Sequence, residues 1–370
     1  MNSRFLTPTG IYLLSHSVGC LPLSAKHALE EKYFQPWMTQ GGNAWETWLQ
    51  QIEEFKTALA MLLGSNANAF CPQTNVSSAL TKILNSFSPQ SSKNVIVYSE
   101  HDFPSTGFAI SQLKNNNFIL AKLTREQSNS DLNNWECLLS PQTKAVFITH
   151  STSDISSLAP VKQIIEIARL HNVVSIVDIA QSAGIIPISL EEWGADFVIG
   201  SSLKWLCGGP GAAFLWVNPD SVSQWRPSDV GWFSHESPFE FDINHFQYAN
   251  DARRFWGGTP AIAPFIIATA GIKELLTFGI ESANEHNRHL GQKIIDCADK
   301  IGLQIASPIM PEIRGGTVTV RFEEVDKMSR ALSQNDIYFD VRQNNLFRFS
   351  PHIYNTEQQI TQFCEIIQSK

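Results

Sequence analysis

The feature that most constrains the fold is an alternation of short β-rich runs with helical stretches in the middle of the chain. Runs rich in Val, Ile and Phe occupy residues 95–98, 118–120, 145–148, 173–177, 197–199 and 213–217. Amphipathic stretches such as residues 161–171 separate several of these runs. Strands that alternate with helices usually form a parallel sheet with helices on both faces. The sequence therefore predicts an α/β fold with a mostly parallel sheet.

The chain of 370 residues is long enough for one large domain and one smaller domain. After Thr259-Pro260 the pattern changes to long helical runs, which are followed by short strands and a last helix. A Gly- and Pro-marked segment at residues 257–260 is typical of a boundary. We therefore predict a large domain over residues 15–260 and a small α+β domain over residues 261–370. Residues 1–14 are expected to pack with the small domain.

Composition narrows the possible partners and the compartment. The net charge is −8 and no cluster of Lys or Arg offsets it, so nucleic acid is not an expected partner. No run of 18 apolar residues exists, so no membrane association is expected. The six cysteines are widely spaced without a CxxC pair, which favours reduced thiols, no metal site and a cytoplasmic location.

Two chemically active side chains follow neighbouring predicted strands. Asp178 comes directly after the run at 173–177, and Lys204 follows the run at 197–199 by five residues. Ligands of open α/β sheets bind at the carboxyl ends of the strands. A carboxylate there would hold a pyridine nitrogen protonated, and an amine would form a Schiff base with an aldehyde. The pair predicts pyridoxal phosphate (PLP) as cofactor, although each residue alone also suits a turn cap or a solvated strand end.

The segments around these two residues resemble the class V aminotransferase family. The segments are Asp-Ile-Ala-Gln-Ser-Ala-Gly at 178–184 and the Gly-Ala-Asp to Gly-Pro-Gly stretch at 194–211. Within the family the likeness is greatest to kynureninases and cysteine desulfurases, and it extends from about Tyr12 to the C-terminus. The resemblance implies a seven-stranded type of sheet in a PLP-binding large domain, with Lys204 as the Schiff-base lysine and Asp178 at the ring nitrogen.

Further cofactor contacts are predicted on four other segments. The resemblance implies that Gln181 faces the phenolic oxygen of the cofactor and that Ser201 reaches its phosphate. Thr74 and Asn75 precede a helical run, where free N–H groups favour a phosphate, although an ordinary helix cap explains them as well. An aromatic ring should stack on the pyridine. Phe103 and His101 both fit that position, and the sequence leaves the choice open.

The substrate contacts are predicted from the resemblance and from charge. A substrate α-carboxylate calls for the planar fork of an arginine, and the segment 346–356 resembles the family's carboxylate-binding segment, which implies Arg348. Arg342 either assists or forms a surface ion pair. Thr259 resembles a residue that reaches the phosphate of the neighbouring subunit, which implies a homodimer with shared active sites. Trp232 and His16 either line the substrate pocket or serve the structure.

The resemblance implies an enzyme that acts on a small amino acid through a Schiff base and a quinonoid intermediate. We expect kynureninase-like hydrolysis or cleavage of a C–S or C–Se bond at Cβ. No cysteine lies between Cys297 and Cys364, where desulfurases carry a nucleophilic one, and Leu203 stands where kynureninases commonly have tyrosine. The alternatives are a class V aminotransferase or an amino-acid epimerase and, in a different class, a non-catalytic sensor of PLP or of an amino acid.

Overall fold

The computed structural model of the chain describes residues 4–87, 92–113 and 117–369. The strands are β1 Phe5–Leu6, β2 Ile11–Tyr12, β3 Leu21–Pro22, β4 Phe70–Gln73, β5 Val95–Ser99, β6 Ile119–Leu123, β7 Thr143–Thr149, β8 Val174–Asp178, β9 Phe197–Ser201, β10 Ala213–Val217, β11 Gln304–Ile305, β12 Val318–Arg321, β13 Ile337–Tyr338, β14 Asp340–Arg342 and β15 Leu346–Phe349. The α-helices are α1 Leu23–Leu29, α2 Gln35–Gln40, α3 Trp45–Leu63, α4 Val76–Leu84, α5 Pro104–Ser111, α6 Leu132–Glu136, α7 Val161–Leu170, α8 Leu190–Trp193, α9 Ala263–Phe278, α10 Ile280–Lys300, α11 Val325–Gln334 and α12 Glu357–Gln368.

A seven-stranded sheet with the order β4-β10-β9-β8-β7-β5-β6 forms the centre of the large part of the molecule. The pairs β9–β8, β8–β7, β7–β5 and β5–β6 are parallel. Strand β10 runs antiparallel to both of its neighbours, β9 and β4. Parallel neighbours bring the carboxyl ends of β8 and β9 to the same edge, which is where the candidate site lies. The predicted α/β fold is confirmed.

The long helix α3 shows how local sequence sets the element bounds. Its buried side chains recur at helical spacing, with Ile52, Phe55 and Leu59 each fully buried. Gly64 ends the helix at a φ of 60°, in the left-handed region that glycine adopts without a steric cost. The sequence predicts a helix over residues 43–64, and the structure has it over Trp45–Leu63.

A second, four-stranded sheet has the order β11-β12-β15-β14 and is antiparallel throughout. In the pair β14–β15, Asp340 lies directly opposite Arg348. Cross-strand neighbours in such a pair lie on the same face of the sheet. This register brings together two side chains that are eight positions apart in the sequence.

The buried apolar residues form a larger cluster around the seven-stranded sheet and a smaller one around the second sheet. The N-terminal residues Ile11 and Leu13 belong to the smaller cluster, and β2 pairs with β13 in parallel. Helix α9, which follows the predicted boundary at residue 260, contributes Phe265 and Leu275 to the larger cluster. Helix α9 thus packs with the larger cluster, which surrounds the seven-stranded sheet. The predicted domain limits stay a prediction.

No single described helix is both long and apolar enough to cross a membrane, and α9 with α10 meets that requirement only as a pair bent by 82°. The predicted cytoplasmic location stays a prediction.

All six cysteines are free thiols. Cys207 is fully buried, and its Sγ atom lies 3.9 Å from Nε2 of His352.

Candidate active site

A cleft of about 350 Å³ lies at the carboxyl ends of β8 and β9. Its other walls are the N-terminal ends of α4 and α5, the turn after β2 and the strand β14. Most of the residues that the sequence analysis singles out line this cleft. They are His16, Asn75, Phe103, Asp178, Gln181, Ser201, Lys204 and Arg342.

Asp178 and Lys204 meet in the cleft without touching each other. One oxygen of Asp178, Oδ1, accepts a hydrogen bond of 2.8 Å from the backbone N–H of Ala180. Burial raises the pKa of Asp178 above its usual range, and the Lys204 ammonium only partly opposes this. Burial also lowers the pKa of Lys204 to about 8, against the attraction of Asp178. Both side chains line the same cleft, and among the ion pairs of the described residues none joins the two.

The cleft contains Phe103 rather than His101. The Nζ atom of Lys204 lies 6.0 Å from the centroid of the Phe103 ring, and 45% of Phe103 is exposed. His101 is buried beside the cleft, where its Nε2 atom is 3.0 Å from the carbonyl oxygen of Gln127. The side chain available to stack on a bound ring is therefore that of Phe103, although the stacking itself stays a proposal.

The N-terminal end of α4 forms one wall of the cleft. Asn75 caps the helix, because its side-chain oxygen accepts a 2.8 Å hydrogen bond from the N–H of Ser78. Val76 and Ser77 line the cleft, and their N–H groups lie in the first turn, where no helical carbonyl is available to them. Thr74 is exposed outside the cleft, with its hydroxyl 3.2 Å from that of Ser78. Asn75 thus acts as the cap that the sequence left as the alternative, while it also lines the cleft.

Gln181 is oriented by two neighbours. Its amide Nε2 donates a 3.1 Å hydrogen bond to the carbonyl of His16, and its Oε1 accepts one of 3.3 Å from the indole of Trp205. One amide hydrogen remains for a ligand. The turn that carries His16 is itself held against the lysine loop, because the N–H of Gly19 donates to the carbonyl of Leu203 at 2.9 Å. A Cβ on Gly19 would lie 2.1 Å from the carbonyl oxygen of Lys204, so only glycine fits there.

The two predicted arginines occupy different positions. Arg348 has only 1% of its side chain exposed and does not line the cleft. Its Nε donates a 2.7 Å hydrogen bond to Oδ1 of Asp340, and its Nη2 donates to Oδ2. Its Nη1 donates to the carbonyl of Ser153. Arg342 has half of its side chain exposed and lines the cleft, with Nε 3.5 Å from Oδ2 of Asp340.

Two of the predicted residues lie elsewhere on the chain. Thr259 is exposed in the loop before α9 and does not line the cleft. Trp232 packs against aromatic neighbours, with its ring centroid 4.5 Å from that of Phe233 and 6.0 Å from that of Phe241. Within this chain, neither residue reaches the space between Asp178 and Lys204.

Several residues of the site were not predicted from the sequence. Ser77, Ser105 and Ser153 line the cleft, and Asp340 binds both arginines. Ser77 and Ser105 follow the caps of α4 and α5, so the helix starts themselves were the available signal. No signal in the sequence pointed to Asp340, because its contacts depend on the register of β14 against β15.

His235, Glu240 and His245 are close enough in space to suggest a metal site, with ligand atoms within 4.8 Å of one another. However, Nδ1 of His235 accepts the N–H of Ser237 at 2.8 Å. Its Nε2 is 2.9 Å from the carbonyl of His245, so it must carry the proton. Both ring nitrogens of His235 are thus engaged with the backbone, so His235 has no free nitrogen to offer a metal ion.

Comparisons with known proteins show which proteins this chain resembles. The family model described as aminotransferase class-V matches residues 28–363. A protein of Bacillus subtilis (strain 168) named uncharacterized aminotransferase YcbU is 27% identical over 362 residues, which cover 98% of this chain and 95% of that protein. The kynureninase of Shouchella clausii (strain KSM-K16) is 25% identical over 388 residues, covering 99% of this chain and 89% of its own.

The solved structures that resemble this chain include the cystine C-S lyase C-DES in complex with its product cysteine persulfide. It has a TM-score of 0.87 and 18% identity, and the match covers 96% of this chain and 97% of the lyase. In another structure of C-DES, glycine is covalently linked to the PLP cofactor of that protein. At this identity the likeness shows the fold.

Proposed function

The chain belongs to the class V aminotransferase family and is a PLP-dependent enzyme, and we propose that it cleaves a small amino acid at Cβ, by hydrolysis or by release of a sulfur or selenium group. The observation that supports this proposal is the free amine of Lys204. Among the described residues that line the cleft, Lys204 alone offers an amine without a hydrogen-bond partner, and its pKa is lowered to about 8.

The residues of the cleft fit the cofactor. Asp178 has one carboxylate oxygen on the Ala180 N–H, which leaves the other for a protonated ring nitrogen. Lys204 would hold the aldehyde carbon, Phe103 would cover one ring face, and the start of α4 would bind the phosphate. Bound there, the cofactor supplies an electron sink for bonds broken at Cα and Cβ.

In this proposal the protein moves protons through Lys204. As a neutral amine, Lys204 would take the proton from Cα of a bound substrate and would then return one to the leaving group or the product. Asp178 would hold a bound ring nitrogen in its protonated form, because the buried carboxylate would gain a cationic partner there.

The cleft favours direct cleavage over transfer of sulfur to a protein thiol and over epimerisation. No cysteine of the described residues lines it, so the cleft offers no thiol to receive sulfur from the substrate. The other ionisable lining residues are His16, Asp178 and Arg342, and His16 has both ring nitrogens in hydrogen bonds. A second base, which inversion at Cα by two-sided proton transfer would need, is therefore lacking among the described lining residues.

We also propose a homodimer in which the exposed Thr259 of each subunit completes the phosphate site of the other. This proposal rests on the resemblance of residues 257–260 and on the position of Thr259 outside its own cleft. Light scattering together with PLP affinity of Thr259→Val measures both parts of it.

The function is tested with the purified PLP-loaded enzyme and a panel of amino acids that includes kynurenine, cysteine, cystine, selenocysteine and alanine. Release of alanine, pyruvate, sulfide or selenide from a panel member is the expected result. Formation of a 2-oxo acid with transfer of the amine, or inversion at Cα, would replace the proposal with transamination or epimerisation. If every amino acid of the panel changes the absorbance spectrum but none is converted to a product, the result would favour a non-catalytic sensor.

The pKa of Lys204 gives a pH prediction for loading of the cofactor. Only the neutral amine attacks an aldehyde, and with a pKa of about 8 roughly a tenth of Lys204 is neutral at pH 7. We expect the rate at which cofactor-free enzyme binds PLP to rise with pH and to level off above about pH 8. Growth of the visible absorbance band measures this rate, with the exposed Lys162→Ala as a control. A rate that stays constant between about pH 6.5 and 9 would contradict the assignment.

A further inference from the structure

Asn287 on α10 joins two chain segments at the edge of the second sheet. Only 3% of Asn287 is exposed, and its Nδ2 donates hydrogen bonds of 2.9 Å to the carbonyl of Gly316 and of 2.7 Å to the carbonyl of Pro351. The two bonds use both hydrogens of the amide. Neither carbonyl belongs to α10, so this side chain connects distant parts of the chain.

The two carbonyls continue the register of β12 against β15. The antiparallel ladder of these strands ends two residues short of Gly316 and Pro351. In the intervening pair, the hydroxyls of Thr317 and Ser350 are 2.8 Å apart. The amide of Asn287 then binds both carbonyls of the next pair. Side chains therefore hold the two segments together beyond the last backbone pair of the ladder.

Both of these segments contact residues of the cleft. On the β15 side, the hydroxyl of Ser350 is 2.5 Å from Nδ1 of His16, and His16 lines the cleft. On the β12 side, a Cβ on Gly316 would lie 2.7 Å from the indole ring of Trp205, so the backbone packs directly on the residue that follows Lys204. Asn287 thus lies behind two walls of the cleft without lining it.

The strand that Asn287 holds also carries Arg348. This arginine lies three residues before Pro351 and pairs with Thr319 of β12. The resemblance of segment 346–356 implies that Arg348 binds the substrate α-carboxylate. A displacement of a binding group by about 1 Å can lower the rate of an enzyme by about 100-fold, so such a guanidinium needs a strand of fixed position.

We propose that Asn287 is a positioning residue for substrate binding, which fixes Arg348 and the turn of His16 by joining the ends of β12 and β15. The inference rests on the proposed function, since it needs an amino-acid substrate whose carboxylate reaches this end of the cleft. Loss of the amide would leave two buried carbonyls without this donor, and the segments would be free to separate. The binding of a carboxylate would then weaken, whereas the expected cofactor contacts at Asp178, Lys204 and α4 would remain.

Asn284, about one helical turn earlier on α10, provides the matched control. Only 7% of it is exposed, and its Nδ2 donates a 2.9 Å hydrogen bond to the carbonyl of Ile185. Ile185 does not line the cleft. Asn284→Ala removes the same atoms from the same helix as Asn287→Ala. A general loss of stability should therefore appear in both variants, and a loss of ligand binding only in Asn287→Ala.

The test measures the binding of propionate, a carboxylate without an amine, to the PLP-loaded enzyme by calorimetry. Asn287→Ala should weaken this binding by about tenfold or more and keep the visible absorbance band of wild type. With the best substrate of the panel, this variant should raise KM more than it lowers kcat, because Lys204 keeps its place. Asn284→Ala should keep the propionate affinity and the KM of wild type.

Thr317→Val tests the same inference if Asn287→Ala does not fold. It removes the hydroxyl that lies 2.8 Å from that of Ser350, and it should weaken propionate binding by about threefold or more. The inference is overturned if a folded Asn287→Ala, or Thr317→Val in its place, binds propionate as tightly as wild type does. It is also overturned if Asn284→Ala weakens the binding equally.

Failure of the proposed function would give a different result. A yellow wild type that binds no propionate would refute the carboxylate site and with it the role of Asn287. If the variants shift propionate binding as expected but no amino acid of the panel is converted to a product, only the proposed reaction is refuted. A colourless wild type would refute the cofactor site.

Discussion

Replacement of Lys204 with alanine is expected to abolish the visible absorbance band of the PLP-loaded enzyme and to lower turnover by about 10⁴-fold or more. Lys204 is the only free base that lines the cleft among the described residues, so its loss removes both the anchor of the cofactor aldehyde and the group that moves the Cα proton. Absorbance spectra and steady-state rates with the best substrate of the panel measure the two effects separately.

Lys162→Ala is a suitable control for this variant, because Lys162 is exposed on α7 and does not line the cleft. It should keep the band and the rate. A Lys204→Ala protein that is still yellow after dialysis, or that turns over within about tenfold of wild type, would contradict the assigned role. Circular dichroism shows whether the variant is folded, and the side chain faces a cleft, so little loss of stability is expected.

Asp178→Asn is expected to lower turnover by about 10² to 10³-fold while the protein still folds and binds PLP. Asparagine keeps the shape of the side chain and can still accept the 2.8 Å hydrogen bond from the N–H of Ala180. It lacks the negative charge that would hold the ring nitrogen protonated. The expected loss is therefore in kcat rather than in the melting temperature, and both are measured.

The matched control for this prediction is Asp196→Asn. Asp196 also lies next to a strand of the central sheet and accepts hydrogen bonds from the N–H and the hydroxyl of Ser175, but it does not line the cleft. Its replacement should leave kcat unchanged, because Asp196 lies outside the cleft and the asparagine oxygen can still accept these hydrogen bonds. Equal effects of the two variants on kcat, or an Asp178→Asn enzyme as fast as wild type, would argue against a role for Asp178 in catalysis.

Several parts of the fold and of the site can be predicted from the sequence because they depend on short segments of the chain. The runs of β-branched residues mark β5, β7, β8, β9 and β10, and their alternation with helices predicts the parallel sheet. Asp178 and Lys204 were found because they follow strands that are neighbours in both sequence and space. The family resemblance, which the class V family match confirms, rests on these same segments.

Other parts could not be read from local order. The edge strand β4, with the sequence Phe-Cys-Pro-Gln, contains a proline and has no alternating pattern, so local sequence does not predict it. It forms because it pairs with β10, which lies far along the chain. Residues 337–342 form two short strands with different partners, since β13 pairs with β2 at the N-terminus and β14 pairs with β15.

The sequence alone thus determined the fold class, the family and the two residues on which the cofactor chemistry depends, because strand ends and motif spacing are properties of short segments. Only the tertiary structure decided that Phe103 rather than His101 enters the cleft and that Arg342 rather than Arg348 faces it. It also decided that Asp340 lies between the two arginines. These outcomes depend on the register of β14 against β15 and on which buried polar groups already satisfy one another, and both are set by contacts between distant segments.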